Sequence, residues 1–446
     1  MTAPKFALTG LLCLAVAVVP LLAAEQPPDK QKPDPVPSKA VTVESPDFLK
    51  PPAGLDPKEF AVAQTVPKVD VCFFDGLADR GKGTLWSSWG DGCFASNGKY
   101  YTSVGDHLGK DANSYVYEYD PMTQILRRVV DVLRAIGQML GLFGHGKIHS
   151  GIHEAADGGL YFSTYWGKPK EVDAAIAKGY PGSLLLRYDP KTERTQNLGA
   201  IAPKQGLPAS FFDARTNLIY FHAVYKGDVV VYDVKAQKVK FHGGADSSAA
   251  HRTFLGAADG RVYLSGVGGT LNYYDPAANQ LVKTKASLPA NVGAKKGDTL
   301  RAATRPAKNG TVYGMTAAGR VFAFDPKTEA VKDLGSNWGV GQYTAVMALS
   351  PDEKYLYYAP GAHGSGNKIG APVVQYAIAT GKRKVLAFLR EPLRQQFKWM
   401  VGGTYNLQID PSGERLFFTF NGAEGAARSP FGKPAVVVVH IPRSER

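Results

Sequence analysis

Cysteine is scarce in this chain, with three residues, Cys13, Cys72 and Cys93, among 446. No Cys-x-x-Cys-His stretch is present, which excludes a c-type haem, and no cysteine spacing is typical of a zinc site. Cys13 lies in an N-terminal apolar run, so Cys72 and Cys93 remain for the mature protein. An even number of cysteines in an oxidising compartment predicts one disulfide, Cys72–Cys93. Two buried free thiols are the alternative.

Long apolar runs are missing after the first 24 residues, so the sequence predicts no transmembrane segment in the mature chain. The N-terminal run follows Lys5, is interrupted by Pro20 and ends at Ala24 before Glu25. This pattern is typical of a cleaved secretory signal peptide, residues 1–24, with an uncleaved anchor as the alternative. We therefore expect a secreted or periplasmic protein.

Acidic residues are also in deficit, with 39 Asp and Glu against 52 Lys and Arg and a formal net charge of +13. A basic exported protein favours acidic partners, such as an anionic carbohydrate or an envelope polymer. The basic residues are dispersed, so nucleic acid is not the expected partner, and a solvated basic surface is the alternative interpretation.

Prolines punctuate the segment that follows the predicted leader, from Pro27 to Pro57. Proline fixes φ and removes a backbone donor, which favours an extended chain. The sequence predicts a Pro-rich linker or tail over residues 25–68 and a folded domain over residues 69–446.

A polar turn followed by a short aromatic strand recurs seven times in the predicted domain. Asn-Gly and Asp-Gly pairs supply the positive φ of tight hairpins, and aromatic and β-branched residues favour strands. The seven copies are Asn97–Tyr101, Asp157–Phe162, Thr216–Phe221, Asp259–Leu264, Asn309–Tyr313, Asp352–Tyr357 and Ser412–Phe418.

A second unit follows each copy, an apolar strand that ends in Tyr-Asp-Pro or a relative of it, as in Tyr119-Asp120-Pro121. Two hairpins per unit make a four-stranded sheet, and a period of roughly 40 to 50 residues is typical of propeller blades. The sequence therefore predicts an all-β protein, a seven-bladed β-propeller of four-stranded antiparallel blades. Two short helical insertions are expected, within residues 125–143 and 168–181.

Over about residues 69–442 these repeats resemble the secreted seven-bladed propellers of the streptogramin-lyase, gluconolactonase-like and YVTN-repeat type. The resemblance rests on turn and core residues. It implies a closed ring of blades, and no lyase motif carries over residue by residue.

The order of strands in a propeller predicts the face on which each candidate functional residue lies. Loops leading into the innermost strands share one face with loops joining the second and third strands, and propellers generally bind ligands there. His149 and His153 are four residues apart, which in a strand puts them on the same side. The acid/base candidates on this face are His107, His149, His251 and Tyr165. The candidates for substrate binding are His153, Trp166, His222, Arg252, Arg301, Tyr343, His363 and Tyr405.

A ring of imidazole, guanidinium and phenol groups suits an anionic substrate. Its composition is similar to that of propeller polysaccharide lyases, and we hypothesise lyase-type β-elimination on an acidic carbohydrate. One alternative is a non-catalytic binding or scaffold propeller of the envelope. Another is a metal-dependent lyase or lactonase acting on a small molecule. A divalent cation is the cofactor left open, with Asp106 and Asn406 as calcium candidates.

Overall fold

Seven antiparallel sheets form the blades of the propeller, so the predicted all-β, seven-bladed fold is confirmed. The structure is a computed structural model that describes residues 37–244, 252–425 and 430–446. The predicted signal peptide and residues 25–36 of the predicted Pro-rich segment lie outside this range.

Each blade has four strands from the axis outwards, and in blade 2 the innermost strand is in two pieces. Blade 1 has Cys93–Phe94, Tyr100–Gly105, Ser114–Asp120 and Ile125–Asp131; blade 2 has Lys147–Ile148 with His153–Glu154, Leu160–Tyr165, Leu185–Asp189 and Arg194–Asn197; blade 3 has Gly206–Asp213, Leu218–Val224, Asp228–Asp233 and Lys238–Gly244; blade 4 has Leu255–Gly256, Val262–Ser265, Thr270–Asp275 and Gln280–Ser287.

The last three blades follow the same pattern, and blade 7 takes its fourth strand from the beginning of the domain. Blade 5 has Leu300–Ala303, Val312–Thr316, Arg320–Asp325 and Ala330–Ser336; blade 6 has Ala348–Leu349, Tyr355–Tyr358, Pro372–Ala377 and Arg383–Phe388; blade 7 has Trp399–Ile409, Arg415–Glu424, Ala435–His440 and Lys68–Phe73. Because Lys68–Phe73 pairs with Ala435–His440, the two ends of the domain share one sheet and the ring is closed.

The turn between the first and second strands contains a residue with positive φ in every blade. These residues are Gly98, Gly158, Asn217, Gly260, Gly310, Glu353 and Gly413. Glycine and asparagine reach this region at little or no steric cost, and Glu353 is the exception. The recurring Asn-Gly and Asp-Gly pairs are therefore explained by local geometry.

The aspartate of the Tyr-Asp-Pro motif closes the turn between the third and fourth strands. Asp120 accepts a hydrogen bond from the Met122 amide at 2.8 Å, and Asp189 accepts one from Lys191 at 2.9 Å. This side-chain turn satisfies backbone donors that the hairpin leaves unpaired. It places these aspartates on the face opposite the candidate site.

The segment 37–68 is part of the fold, which corrects the prediction of a linker or tail up to residue 68. Ser38–Lys39 adds to the outer edge of blade 1, Val41–Glu44 to blade 7 and Ala61–Val62 to blade 6. Phe48, in the 3₁₀ turn between them, is completely buried. Extended, proline-bearing chain is well suited to an edge strand, and it covers sheet edges that would otherwise be exposed.

Short helices occur in both regions where insertions were predicted, as Val132–Ala135 and as Val172–Ala177. A third helix, Arg390–Phe397, joins blades 6 and 7 and was not predicted. The 3₁₀ turns are Pro46–Leu49, Pro169–Glu171, Val267–Gly269, Ser365–Ile369 and Arg443–Glu445. In the described ranges, no helix is long and apolar enough to cross a membrane.

The predicted disulfide is absent, because both Cys72 and Cys93 are free. Cys72 lies on the outermost regular strand of blade 7 and packs in the core between blades 7 and 1. Cys93 lies on the innermost strand of blade 1 and packs towards blade 2. The sheet of blade 1 separates the two thiols, and sequence spacing carried no information about this. Burial raises the pKa of both thiols to about 12.

Candidate functional site

Loops leading into the innermost strands, and loops joining the second and third strands, meet on one side of the ring, here called the axial face. Trp89, which precedes the innermost strand of blade 1, lies at the centre of a group of rings on this face. The distances from its ring centroid are 5.3 Å to His107, 6.0 Å to His149, 5.8 Å to His363, 4.8 Å to Tyr405 and 5.6 Å to Phe431.

Arg252 contacts residues of three other blades. It precedes the innermost strand of blade 4, and its guanidinium lies 4.6 Å from the ring centroid of Tyr405 in blade 7. One terminal nitrogen is 3.2 Å from His149 Nε2 in blade 2, and the other donates to the backbone carbonyl of Trp89 in blade 1. The side chain therefore reaches across the axis on the axial face.

Two further cations lie against the same rings. Lys147 Nζ is 4.9 Å from the centroid of Trp89, and the Arg301 guanidinium is 5.0 Å from that of Tyr343. We call these rings and cations the axial cluster: Trp89, His107, Lys147, His149, Arg252, Arg301, Tyr343, His363, Tyr405 and Phe431.

The three cations of the axial cluster lack an acidic partner. Within the described ranges, no carboxylate forms an ion pair with Lys147, Arg252 or Arg301. Asp91 and Asp298 act on the two arginines only at longer range, and both carboxylates already accept backbone hydrogen bonds. The cluster therefore carries uncompensated positive charge.

This charge and the burial around it shift the pKa values of Lys147 and Arg301. Lys147 is almost completely buried, and burial together with Arg252 lowers its pKa to about 8. Burial, followed by the charge of Arg252, lowers the pKa of Arg301. Like charges held together in a partly dry site are unfavourable without an anion.

Hydrogen bonds favour a neutral His149 with one tautomer. Its Nδ1 lies 2.7 Å from the carbonyl oxygen of Pro208, which can only accept a hydrogen bond. Nδ1 therefore carries the hydrogen, and the lone pair is on Nε2, facing Arg252. Burial and the charges of Arg252 and Lys147 hold the His149 pKa well below its usual range.

His363 and Tyr405 form a second pair. The Tyr405 hydroxyl is 2.8 Å from His363 Nδ1, and the His363 ring stacks on Tyr343 at 4.7 Å. Tyr405 is completely buried, whereas His363 is exposed. Burial raises the Tyr405 pKa well above its usual value, and Arg252 and Arg301 oppose that shift.

His107 completes the neutral imidazoles of the cluster. Burial and the charge of Lys147 lower its pKa to about 2. Its Nε2 atom is buried and has no hydrogen-bond partner among the residues described. The backbone of His107 has a φ of 62°, an uncommon conformation for a residue other than glycine.

The structure brings together most of the residues predicted for this face. His107, His149, Arg252, Arg301, Tyr343, His363 and Tyr405 all belong to the axial cluster. Tyr165 lies beside it, with its ring 5.1 Å from His149, and Trp166 packs against Tyr165 at 4.5 Å. Trp166 is buried, which leaves little of its ring for a ligand.

His153 and His222 lie outside the axial cluster, and His251 falls outside the described residues. The strand that carries His149 is interrupted after Ile148, so the expected two-residue alternation does not hold. His153 Nε2 instead contacts Ser210 Oγ of blade 3 at 2.7 Å. His222 is not in a loop, because it lies inside the strand Leu218–Val224 and is completely buried.

Trp89, Lys147 and Phe431 were missing from the predicted set. Trp89 lies in the loop that leads into the innermost strand of blade 1, on the face where the other candidates were expected, and this position could have identified it. Lys147 is two residues from His149 in the sequence, and this proximity to a predicted residue could have identified it. Phe431 lies in the loop between the second and third strands of blade 7, which belongs to the predicted ligand-binding face.

A metal centre is not evident in the described parts of the chain, where no three His, Cys, Asp or Glu side chains are grouped as ligands. The two calcium candidates are engaged elsewhere. Asp106 accepts backbone hydrogen bonds from Leu108 and Asn113, and Asn406 bonds Ser88 and Thr102 in the core.

These features define the class of the protein as a seven-bladed β-propeller with a cationic, aromatic cluster at one end of its axis. Its fold is similar to that of a solved structure, the WD40 repeats of RRP9, with a TM-score of 0.53. The match covers 84% of this chain and 97% of that chain at 10% sequence identity, which shows the fold alone. No protein-family model and no curated protein matches the sequence.

Proposed function

We propose that this propeller binds an acidic saccharide at the axial cluster and cleaves it by β-elimination. The observation that carries the proposal is the group of Lys147, Arg252 and Arg301, held beside aromatic rings without an ion-pair partner among the described residues. Gathering like charges opposes folding, so their persistence favours a role in binding an anion. Aromatic rings beside the cations suit the apolar face of a sugar.

In the proposed reaction the substrate carboxylate lies against Arg252 and a second cation of the cluster. Neutralising the carboxylate acidifies the carbon-bound proton next to it and stabilises the enolate-like intermediate. The lowered pKa keeps His149 neutral before substrate binds. When the carboxylate engages Arg252, its negative charge offsets the cations that lower this pKa, and the Nε2 lone pair is released to take the proton. The two electrons of the broken C–H bond form the new double bond of the ring.

The C–O bond to the leaving sugar then breaks, and its electron pair stays on the oxygen. His363 donates its Nε2 proton to that oxygen while its Nδ1 accepts the proton of the Tyr405 hydroxyl. Burial disfavours the resulting phenolate, and the positive charges of Arg252 and Arg301 offset part of that cost until the proton is restored. Exchange with solvent returns the proton from His149 to the pair. The products are one saccharide with an unsaturated uronate end and one with a free hydroxyl.

The test is turnover of polygalacturonate, alginate and hyaluronate by the purified protein, followed by the ultraviolet absorbance of an unsaturated uronate. We expect a signal with at least one polymer, which His149→Asn abolishes while binding is retained. Met122→Ala, an exposed position on the opposite face, serves as the matched control. A parallel series with EDTA shows whether a divalent cation participates. Binding without any absorbance change in the wild type would refute the elimination.

A non-catalytic binding propeller of the envelope is the second candidate. It is favoured by the hydrogen bonds of His149, whose two ring nitrogens already contact Pro208 and Arg252. In this case the cluster holds an acidic polymer without cleaving it. The same experiment separates the candidates, because this one predicts saturable binding with no product.

We also propose that the protein acts after export, as the predicted signal peptide suggests. Expression with its native N-terminus should yield a protein that begins at Glu25 outside the cytoplasm. A cytoplasmic protein that retains residues 1–24 would contradict this, and N-terminal sequencing of each cell fraction distinguishes the two.

A further inference from the structure

Tyr225 is an exposed aromatic residue on the axial face, away from the centre of the ring. It lies in the turn between Leu218–Val224 and Asp228–Asp233 of blade 3, and 54% of its surface is accessible. Its backbone φ is 92°, in the region that favours glycine. Most large side chains at such positions introduce strain of about 1–3 kcal/mol, and strained residues tend to cluster at functional sites.

A row of rings joins Tyr225 to the centre of the axial cluster. From Trp89 the successive centroid distances are 6.0 Å to His149, 5.1 Å to Tyr165, 4.5 Å to Trp166 and 5.4 Å to Tyr225. Trp166 is buried beneath its neighbours, whereas Tyr165 is half-buried and Tyr225 is exposed. The row therefore offers accessible ring surface near the axis and again at its outer end.

Trp166 packs against the Tyr225 ring, and charged groups of both signs lie nearby. Asp173 of the helix Val172–Ala177 lies near the hydroxyl and contributes to raising its pKa. Lys226 follows in the turn and is exposed. An oriented aromatic face beside a free lysine suits a sugar ring that carries a carboxylate.

We propose that Tyr225 forms an outer subsite for an acidic oligosaccharide that extends from the axial cluster over blades 2 and 3. This inference rests on the proposed function and assigns its substrate as a chain of several sugars. A monosaccharide held at Trp89 does not reach Tyr225, whereas a longer chain following the row of rings does. Glycine at position 225 would relieve the backbone strain, so any benefit of tyrosine there must come from its ring.

The experiment compares affinities for saturated uronic acid oligosaccharides of increasing length, prepared from whichever polymer of the panel binds. Calorimetric titration is made with the wild type, Tyr225→Gly, Tyr225→Phe and the opposite-face control Met122→Ala. We expect the wild type to gain affinity with length. Tyr225→Gly should reduce that gain about tenfold, whereas Tyr225→Phe should keep most of it. Thermal unfolding should show that Tyr225→Gly is at least as stable as the wild type, because the strain is relieved.

The outcomes separate this inference from the function on which it rests. Failure of the wild type to bind any polymer or oligosaccharide would overturn the proposed function, and the outer subsite with it. Binding by the wild type, with the same length dependence in Tyr225→Gly, would overturn the outer subsite alone. A loss of length dependence in Tyr225→Phe equal to that in Tyr225→Gly would also refute the role of the ring.

Discussion

Replacing Arg252 with methionine removes a guanidinium that contacts Trp89, His149 and Tyr405 while keeping a side chain of similar length. A hydrogen bond to a charged group contributes about 1.5–3 kcal/mol. Loss of one such bond to a bound carboxylate should therefore weaken the affinity for an acidic saccharide about 10- to 100-fold. Calorimetric titration of the wild type and variant measures this change.

The same substitution should also raise the pKa of His149. After burial, the charge of Arg252 is the largest cause that lowers this pKa, and Arg301 is not among the causes. Titration of the His149 ring protons by nuclear magnetic resonance follows the shift directly. Arg301→Met is the matched control, because it removes a second cation of the cluster and should leave the His149 titration unchanged.

Either of two results would refute this account of the cluster. Unchanged affinity in Arg252→Met would mean that its guanidinium does not bind the carboxylate. An equal His149 shift in both variants would mean that general repacking, and not the contact between Arg252 and His149, controls the imidazole.

Three further predictions concern charge, acid stability and the N-terminal segment. Affinity for an acidic saccharide should fall as the pH rises through about 8, because Lys147 then loses its proton; Lys147→Arg should remove this dependence, and a flat wild-type profile would contradict it. Burial lowers the His145 pKa to about 3, so the unfolded state binds its proton first and stability falls as the pH drops below 6.5. Urea unfolding should show a loss at pH 5 that is about 2 kcal/mol smaller in His145→Gln, and equal losses would exclude His145 as the cause. Phe48→Ala should lower the free energy of unfolding by about 3–5 kcal/mol, because Phe48 is completely buried. Val41→Ala, at an exposed position of the same segment, should lower it by about 0.5 kcal/mol or less. Similarly small values for both would show that the segment contributes little to stability.

The blades could be predicted because the residues that form their turns act through local backbone geometry. Gly98 and Gly158 mark hairpin turns by a backbone conformation that other residues adopt with strain, and Asp120 and Asp189 close the next turn through their own side chains. These interactions span only a few residues, so the turns can be predicted from the sequence without any knowledge of neighbouring blades. The sorting of loops by face follows from the same regular alternation of strands.

The predictions that were wrong concern residues whose positions depend on contacts between distant parts of the chain. Cys72 and Cys93 pack on different sides of one blade, and Phe48 is buried against strands distant in the chain. His153 turned away from His149 because the strand between them is interrupted. Each of these outcomes depends on long-range packing, and the residue types alone left them open.

The sequence by itself determined the number of blades, their turns and the face on which the histidines, arginines and tyrosines gather, because short-range backbone geometry sets the alternation of strands. Only the tertiary structure decided that Trp89 lies at the centre, that Arg252 reaches across the axis to His149 and Tyr405, and that Lys147 joins the cations. Ring closure brings loops from distant parts of the chain within contact distance. The charge and pKa values of the axial cluster arise from those contacts and from burial, which exist only in the closed ring.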